Sequence, residues 1–119
     1  MRVFLLLIVF NFFSPEIKSF NYSFDSIPQK FQARLVVSFN SICCGIDAKK
    51  HNDLLRFLKK YPTVTYSKIN WGKQGELDYC FKLSELKPEE QEKFIKKVKK
   101  LLGADSRFIT IQENISCPR

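Results

Sequence analysis

A chain of 119 residues has room for one domain with a single modest core, which excludes a multidomain architecture. Its formal charge of +8 suits an anionic partner or simple solubility. The lysines fall at helix ends and exposed helix positions, as on a solvated surface, and the export signal described next argues against nucleic acid as a partner.

Arg2 precedes an apolar run from Val3 to Phe13, broken only by Asn11, and Ser14-Pro15 follows. A basic start, a short apolar stretch and a polar exit match a secretory signal peptide. The run falls short of the about 20 apolar residues that a membrane span needs. Residues 1–19 are therefore read as a leader cut after Ser19, leaving no transmembrane segment and an exported, periplasmic or secreted address. Residues 20–32 contain Asn21, Ser23, Asp25, Ser26 and Pro28 among scattered aromatics, with no useful period. They read as a linker or N-terminal arm before a single domain at 33–119.

Ala33 to Phe39 sets Leu35, Val37 and Phe39 against Arg34, Val36 and Ser38, the alternation of a first strand. Asp47 stands at an N-cap position, and a helix is expected from Ala48 to Tyr61, striped by Leu54, Leu58 and Tyr61 and stopped by Pro62. Thr63 to Trp71 is rich in β-branched and aromatic residues and reads as a second strand. Val64 and Tyr66 share one parity there, Ile69 and Trp71 the other, so a bulge near Ser67-Lys68 is expected. Gly72 and Gly75 bracket a hairpin, and Leu77, Tyr79, Phe81 and Leu83 mark a third strand. Pro88 opens a second helix with Glu89, Glu90 and Glu92 early and Lys96, Lys97, Lys99 and Lys100 late, which complements the helix dipole, and Gly103 ends it. Arg107 to Glu113 is the fourth strand. The order β-α-β-β-α-β predicts an α+β, ferredoxin-like two-layer sandwich with a four-stranded antiparallel sheet and the first and third strands at its centre.

On that fold the helix-free face presents Arg34, Val36, Ser38 and Asn40 beside Asp78, Cys80 and Lys82, with Thr110 and Gln112 from the fourth strand. Such a face is either a solvated surface or a recognition surface, with Arg34 and Asp78 as a cross-strand pair. Arg34, Ser38, Asn40, Asp78 and the hairpin's Trp71 are the candidate binding residues. His51 reads as a packing or surface residue. No serine or cysteine has a convincing His–carboxylate pattern, so no catalytic residue and no cofactor are assigned. An anion at the Gly45-Ile46-Asp47 helix start is a weaker enzyme-like reading.

Four cysteines in an exported chain permit two disulfides, in three connectivities. Cys43 and Cys44 are adjacent; one reading joins one of them to Cys80 or Cys117 and leaves the other buried or variable. Another bridges Cys80 to Cys117, the tail folding across the open face to close a gap that strand spacing leaves too wide. The Cys43-Cys44 loop before the first helix resembles the metal-binding loop of heavy-metal-associated domains, which implies a soft metal or redox site as an alternative function. Asn21-Tyr22-Ser23 and Asn114-Ile115-Ser116 match the N-glycosylation pattern. Gly45-Ile46-Asp47 with Trp71-Gly72-x-x-Gly75-Glu76-x-Asp78-Tyr79-Cys80 resembles a group of small exported bacterial proteins without assigned function. The leading expectation is a non-catalytic domain that binds a protein or small ligand.

Overall fold

The computed structural model describes residues 31–103 and 106–117. The leader at 1–19, nearly all of the arm at 20–32 and the Asn21 pattern lie outside the described residues. The elements are β1 (Gln32–Phe39), α1 (Ala48–Leu58), β2 (Ser67–Asn70), β3 (Leu77–Phe81), α2 (Pro88–Leu102) and β4 (Ile109–Ser116). They build an α+β domain on one four-stranded sheet of order β2-β3-β1-β4, antiparallel at every pairing.

Alternation does most of the assembly. Leu35, Val37 and Phe39 of β1 share a face with Leu77, Tyr79 and Phe81 of β3 and Ile109 of β4. Leu54 and Leu58 of α1 and Phe94, Ile95, Val98 and Leu102 of α2 pack onto it. Phe94 anchors the aromatic part, with ring centroids 5.7 Å from Phe81 and 5.0 Å from Tyr61. Burying a side chain of this size is worth roughly 1.5–3 kcal/mol, so this layer supplies most of the drive to fold.

The helices end for local reasons. The Asp47 carboxylate accepts from the Lys50 N–H at 3.0 Å and caps α1. α1 stops at Leu58, three residues before the expected Tyr61. The chain tightens there into i→i+3 bonds, Lys60 N–H to Phe57 O and Tyr61 N–H to Leu58 O, ahead of Pro62. Gly103 follows α2 at φ +84°, and Lys50 Nζ reaches the α2 carbonyl of Leu101 at 3.2 Å.

The expected bulge in the second strand is absent. Pairing runs unbroken from Ser67–Cys80 to Asn70–Leu77. Val64 is buried in the main core, and Tyr66 packs against Tyr79 and Phe81 at 5.4 and 5.6 Å, whereas Ile69 packs on the opposite face. The strand is only Ser67–Asn70, shorter than the expected Thr63 to Trp71, so Val64 and Tyr66 lie in the loop before it and no bulge is needed to place them.

That second face is the main departure from expectation. Ala33, Val36, Cys80 and Cys117 form a separate buried cluster, with Phe31, Ile69 and Ile115 against it. Its origin is a paired distortion of β1 and β4. Ala33 faces Ile115 and Leu35 faces Glu113, but Arg34 and Asn114 between them do not pair, and Asn114 takes φ +53°. Asparagine tolerates the left-handed region better than most residues. Past this point Ala33 and Ile115 join the second cluster, while Arg34 and Glu113 reach toward α2. β4 continues to Ser116, beyond the expected Glu113, and the Cys117 N–H donates to Phe31 O at 2.8 Å.

The same bend brings Cys117 to Cys80. Val36 pairs with both Cys80 and Gln112, and five further residues of straight strand would carry Cys117 about 17 Å along the sheet. The two Cα atoms instead lie 5.9 Å apart and the cysteines are disulfide-bonded.

Candidate functional site

Three loops meet at the end of the sheet where β1 finishes. The Asn40 N–H donates to Phe108 O at 2.7 Å and its Nδ2 to Thr110 Oγ1 at 3.2 Å, tying the β1 exit to the β4 entry. The Ser41 hydroxyl donates to Gln74 Oε1 at 2.6 Å, tying the same exit to the β2–β3 hairpin. The Gly45 N–H returns to Ser41 Oγ at 3.1 Å and closes a five-residue turn. Inside that turn Cys43 is bonded to Cys44, and both are exposed.

The hairpin is built around Glu76. The Trp71 N–H donates to Glu76 O at 3.1 Å, and the buried Glu76 carboxylate accepts from the Gln74 N–H at 2.8 Å. A Cβ on residue 72 would lie 1.9 Å from Glu76 Oε2, so glycine is what lets the carboxylate fold over the loop. Trp71 Nε1 donates to Asp78 Oδ1 at 3.0 Å, which holds the indole against the sheet end while 38% of the residue stays exposed. Ile42, at 54%, and Phe108, at 41%, stand out from the two neighbouring loops. Each of the three tied loops thus carries one exposed large apolar side chain, while a further one, Tyr66 at 43%, precedes β2.

The sequence-based candidates divide. Trp71 and Asp78 are brought together, and Asn40 ties the loops. Ser38, half-buried, lies between Asp78 and Thr110 in the sheet register. Arg34 is not a partner of Asp78. It donates to Glu113 Oε1 at 2.9 Å and to Glu92 Oε1 at 2.5 Å, toward α2 and away from the loop end. Asp78 is fully buried, as are Val36 and Cys80, whereas Lys82 and Gln112 are exposed and Ser38, Asn40 and Thr110 half-buried, so the helix-free face is open only in part. Cys43 and Cys44 are joined to each other, not to Cys80 or Cys117, and neither is buried. A disulfide sulfur is not a thiolate ligand, so the metal reading of this pair applies only to its reduced form. Among the described residues no group of three or more His, Cys, Asp or Glu could hold a metal ion.

Ile42, Gln74 and Phe108 were not singled out by sequence reasoning, and Glu76 entered only as part of the Trp71 to Cys80 pattern. Ile42 carried a signal all the same: a branched apolar residue in a Ser-, Cys- and Gly-containing turn has no strand or helix face to bury it.

Two other features bear on chemistry. His51 Nε2 lies 2.7 Å from the Tyr79 hydroxyl, and its ring meets Phe39 edge-on at 5.1 Å. Burial, then the nearby Lys68, hold His51 below the ordinary imidazole range, and burial with Tyr66 pushes Tyr79 up to about 12. With Tyr79 fully buried, this pair belongs to the core. Between α1 and α2 a groove of about 710 Å³ is lined by Phe57, Lys60, Tyr61, Lys97, Lys100 and Leu101. Lys97 sits over the Tyr61 ring and donates to its hydroxyl. Among the described residues no helix is long and apolar enough to cross a membrane.

No protein-family model, characterised protein or solved structure matches the chain.

Proposed function

We propose that this chain is an exported, non-catalytic binding domain on a ferredoxin-like sandwich, one of the small exported bacterial proteins its motifs resemble. It takes a protein or small ligand at the loop end of its sheet. The single observation that carries this reading is that Ile42, Trp71 and Phe108 are each exposed on loops tied to one another by Ser41–Gln74 and Asn40–Phe108. The sheet order β2-β3-β1-β4 supports the ferredoxin-like assignment. Two disulfides are compatible with an oxidising, exported compartment. Relative to the sequence-based surface, the proposed site keeps Trp71 and Asn40, gives Asp78 a positioning role and drops Arg34.

The test compares capture of a cross-linked partner from the exported fraction by the parent, Ile42→Asp, Trp71→Ala and a helix-surface control, Lys96→Asp. The two loop variants should lose the partner that the control retains. Equal capture by all four places the binding surface elsewhere. A ligand screen by thermal shift, run on the same four proteins, covers a small-molecule ligand, and its hits should weaken in the loop variants alone.

A further inference from the structure

The Cys43–Cys44 pair differs from Cys80–Cys117 in the two properties that govern exchange, access and local constraint. Both members of the first pair are exposed, whereas Cys80 and Cys117 are buried in the second apolar cluster. The first pair also sits inside the turn closed by Gly45 N–H to Ser41 Oγ, and the same hydroxyl donates to Gln74 of the hairpin. Within it Cys44 takes φ +72° and Gly45 φ +118°. A non-glycine residue in the left-handed region persists only while its surroundings enforce it. Cys44 lies both in the small ring that the bond makes between neighbouring residues and inside the turn closed by Gly45 and Ser41.

We propose that Cys43–Cys44 is a thiol–disulfide exchange site that accepts two electrons from a dithiol, and that its opening releases the hairpin carrying Trp71. A thiolate of the dithiol attacks one of the two sulfurs. The Cys43–Cys44 bond breaks, its electron pair leaves on the other sulfur, and that thiolate takes up a proton. The second thiol of the dithiol then loses its proton and attacks the mixed disulfide, expelling the remaining protein sulfur, which is protonated in turn. The dithiol leaves as a disulfide, and the protein has gained two electrons and two protons. With the ring open, Cys44 is free to return to negative φ. The Gly45–Ser41–Gln74 relay loses its fixed geometry, and the hairpin is no longer tied to the β1 exit. The inference goes beyond the binding role and does not depend on it, because no partner enters the chemistry or the test.

The experiment treats the full-length chain, after removal of any leader, with limiting dithiothreitol, blocks thiols with iodoacetamide and maps the labelled peptides. Cys43 and Cys44 should be labelled roughly tenfold or more faster than Cys80 and Cys117, which are buried. In the singly reduced protein, amide hydrogen exchange should quicken over 41–47 and 72–76 but not in the central strands. The Cys43→Ser/Cys44→Ser variant should show that fast exchange without reductant and no response to it. Labelling of all four cysteines at one rate, earlier labelling of Cys80 and Cys117, or selective labelling with no change at 72–76 overturns the proposal.

Discussion

Removing the Cys80–Cys117 bridge tests the bend that organises the second face. The bond spans 37 positions and encloses α2 and β4, starting from the penultimate residue of β3. By the chain-entropy relation a loop of that length restricts the unfolded chain by about 4 kcal/mol. Total stability for a domain of this size is roughly 5–15 kcal/mol, so the loss is large. Cys80→Ala, Cys117→Ala and the double variant are best compared with Cys43→Ser/Cys44→Ser already in place, so that no freed thiol can attack the other pair. Each single change should cost about 4 kcal/mol, with about 1 kcal/mol more where the sulfur leaves a small void in the apolar cluster. The double should cost barely more than either single, because both remove one bond. Urea unfolding followed by Trp71 emission reads the effect, and the urea slope should rise as the unfolded chain expands. The melting temperature should fall by roughly 15–30 °C. Additive single losses, or losses under about 1 kcal/mol, would show that the bridge does not close the tail over the sheet.

Two further perturbations probe the hairpin and the titrating groups. Gly72→Ala puts a methyl where the Glu76 carboxylate lies and should cost about 1–3 kcal/mol in urea unfolding, with Glu76→Ala in the same chain recovering part of it; strictly additive costs would refute the packing argument. His51 titrates below its ordinary 6.5 in the fold, so its contribution is complete above that value and fades as the pH falls through and below it. Glu113, lowered by its bond to Lys99 and then by Arg34, contributes above the ordinary carboxylate range and fades beneath it. His51→Gln should flatten the first limb of a stability–pH profile and Glu113→Gln the second, and parallel profiles for parent and variants would sink the assignment.

The sheet and the helices were legible because period and burial agree. Leu35, Val37 and Phe39 at period two, and Phe94, Ile95, Val98 and Leu102 at helical spacing, each demand one partner layer and receive it. What could not be read was the change of face at Arg34 and Asn114. Strict alternation assigns Arg34 to the helix-free side, but opposite the left-handed Asn114 its guanidinium meets Glu92 and Glu113 instead. The parity slip in Thr63 to Trp71 misled in the opposite way. It signals a bulge only if the whole stretch is strand, and here the strand begins at Ser67, after Val64 and Tyr66, while Ile69 has its own apolar cluster to meet. For the site, the glycine spacing pointed to the hairpin, but nothing local in Trp71-Gly72-Lys73-Gln74 reveals that Gln74 reaches back to Ser41.

The two ends of the sheet are held by different kinds of bond, and that difference favours the loop end as the binding end. At the far end, a disulfide across strands and the Arg34–Glu113–Lys99 ion pairs fix β1 and β4 to each other and to α2. At the loop end the ties are single hydrogen bonds and a disulfide between neighbours, which leave the loops room to adjust. Recognition benefits from that adjustment only if some anchor is already in place, because ordering a free side chain on binding costs roughly 0.5–1.5 kcal/mol. Trp71 meets this condition. Its indole nitrogen is bonded to the buried Asp78, so its ring is oriented while part of its surface stays open. Tryptophan is enriched among residues that dominate binding energies, and a pre-oriented one avoids much of the ordering cost. In the proposed site Asp78 therefore acts by setting the tryptophan, while Ile42 and Phe108 are exposed on the neighbouring, more adaptable loops.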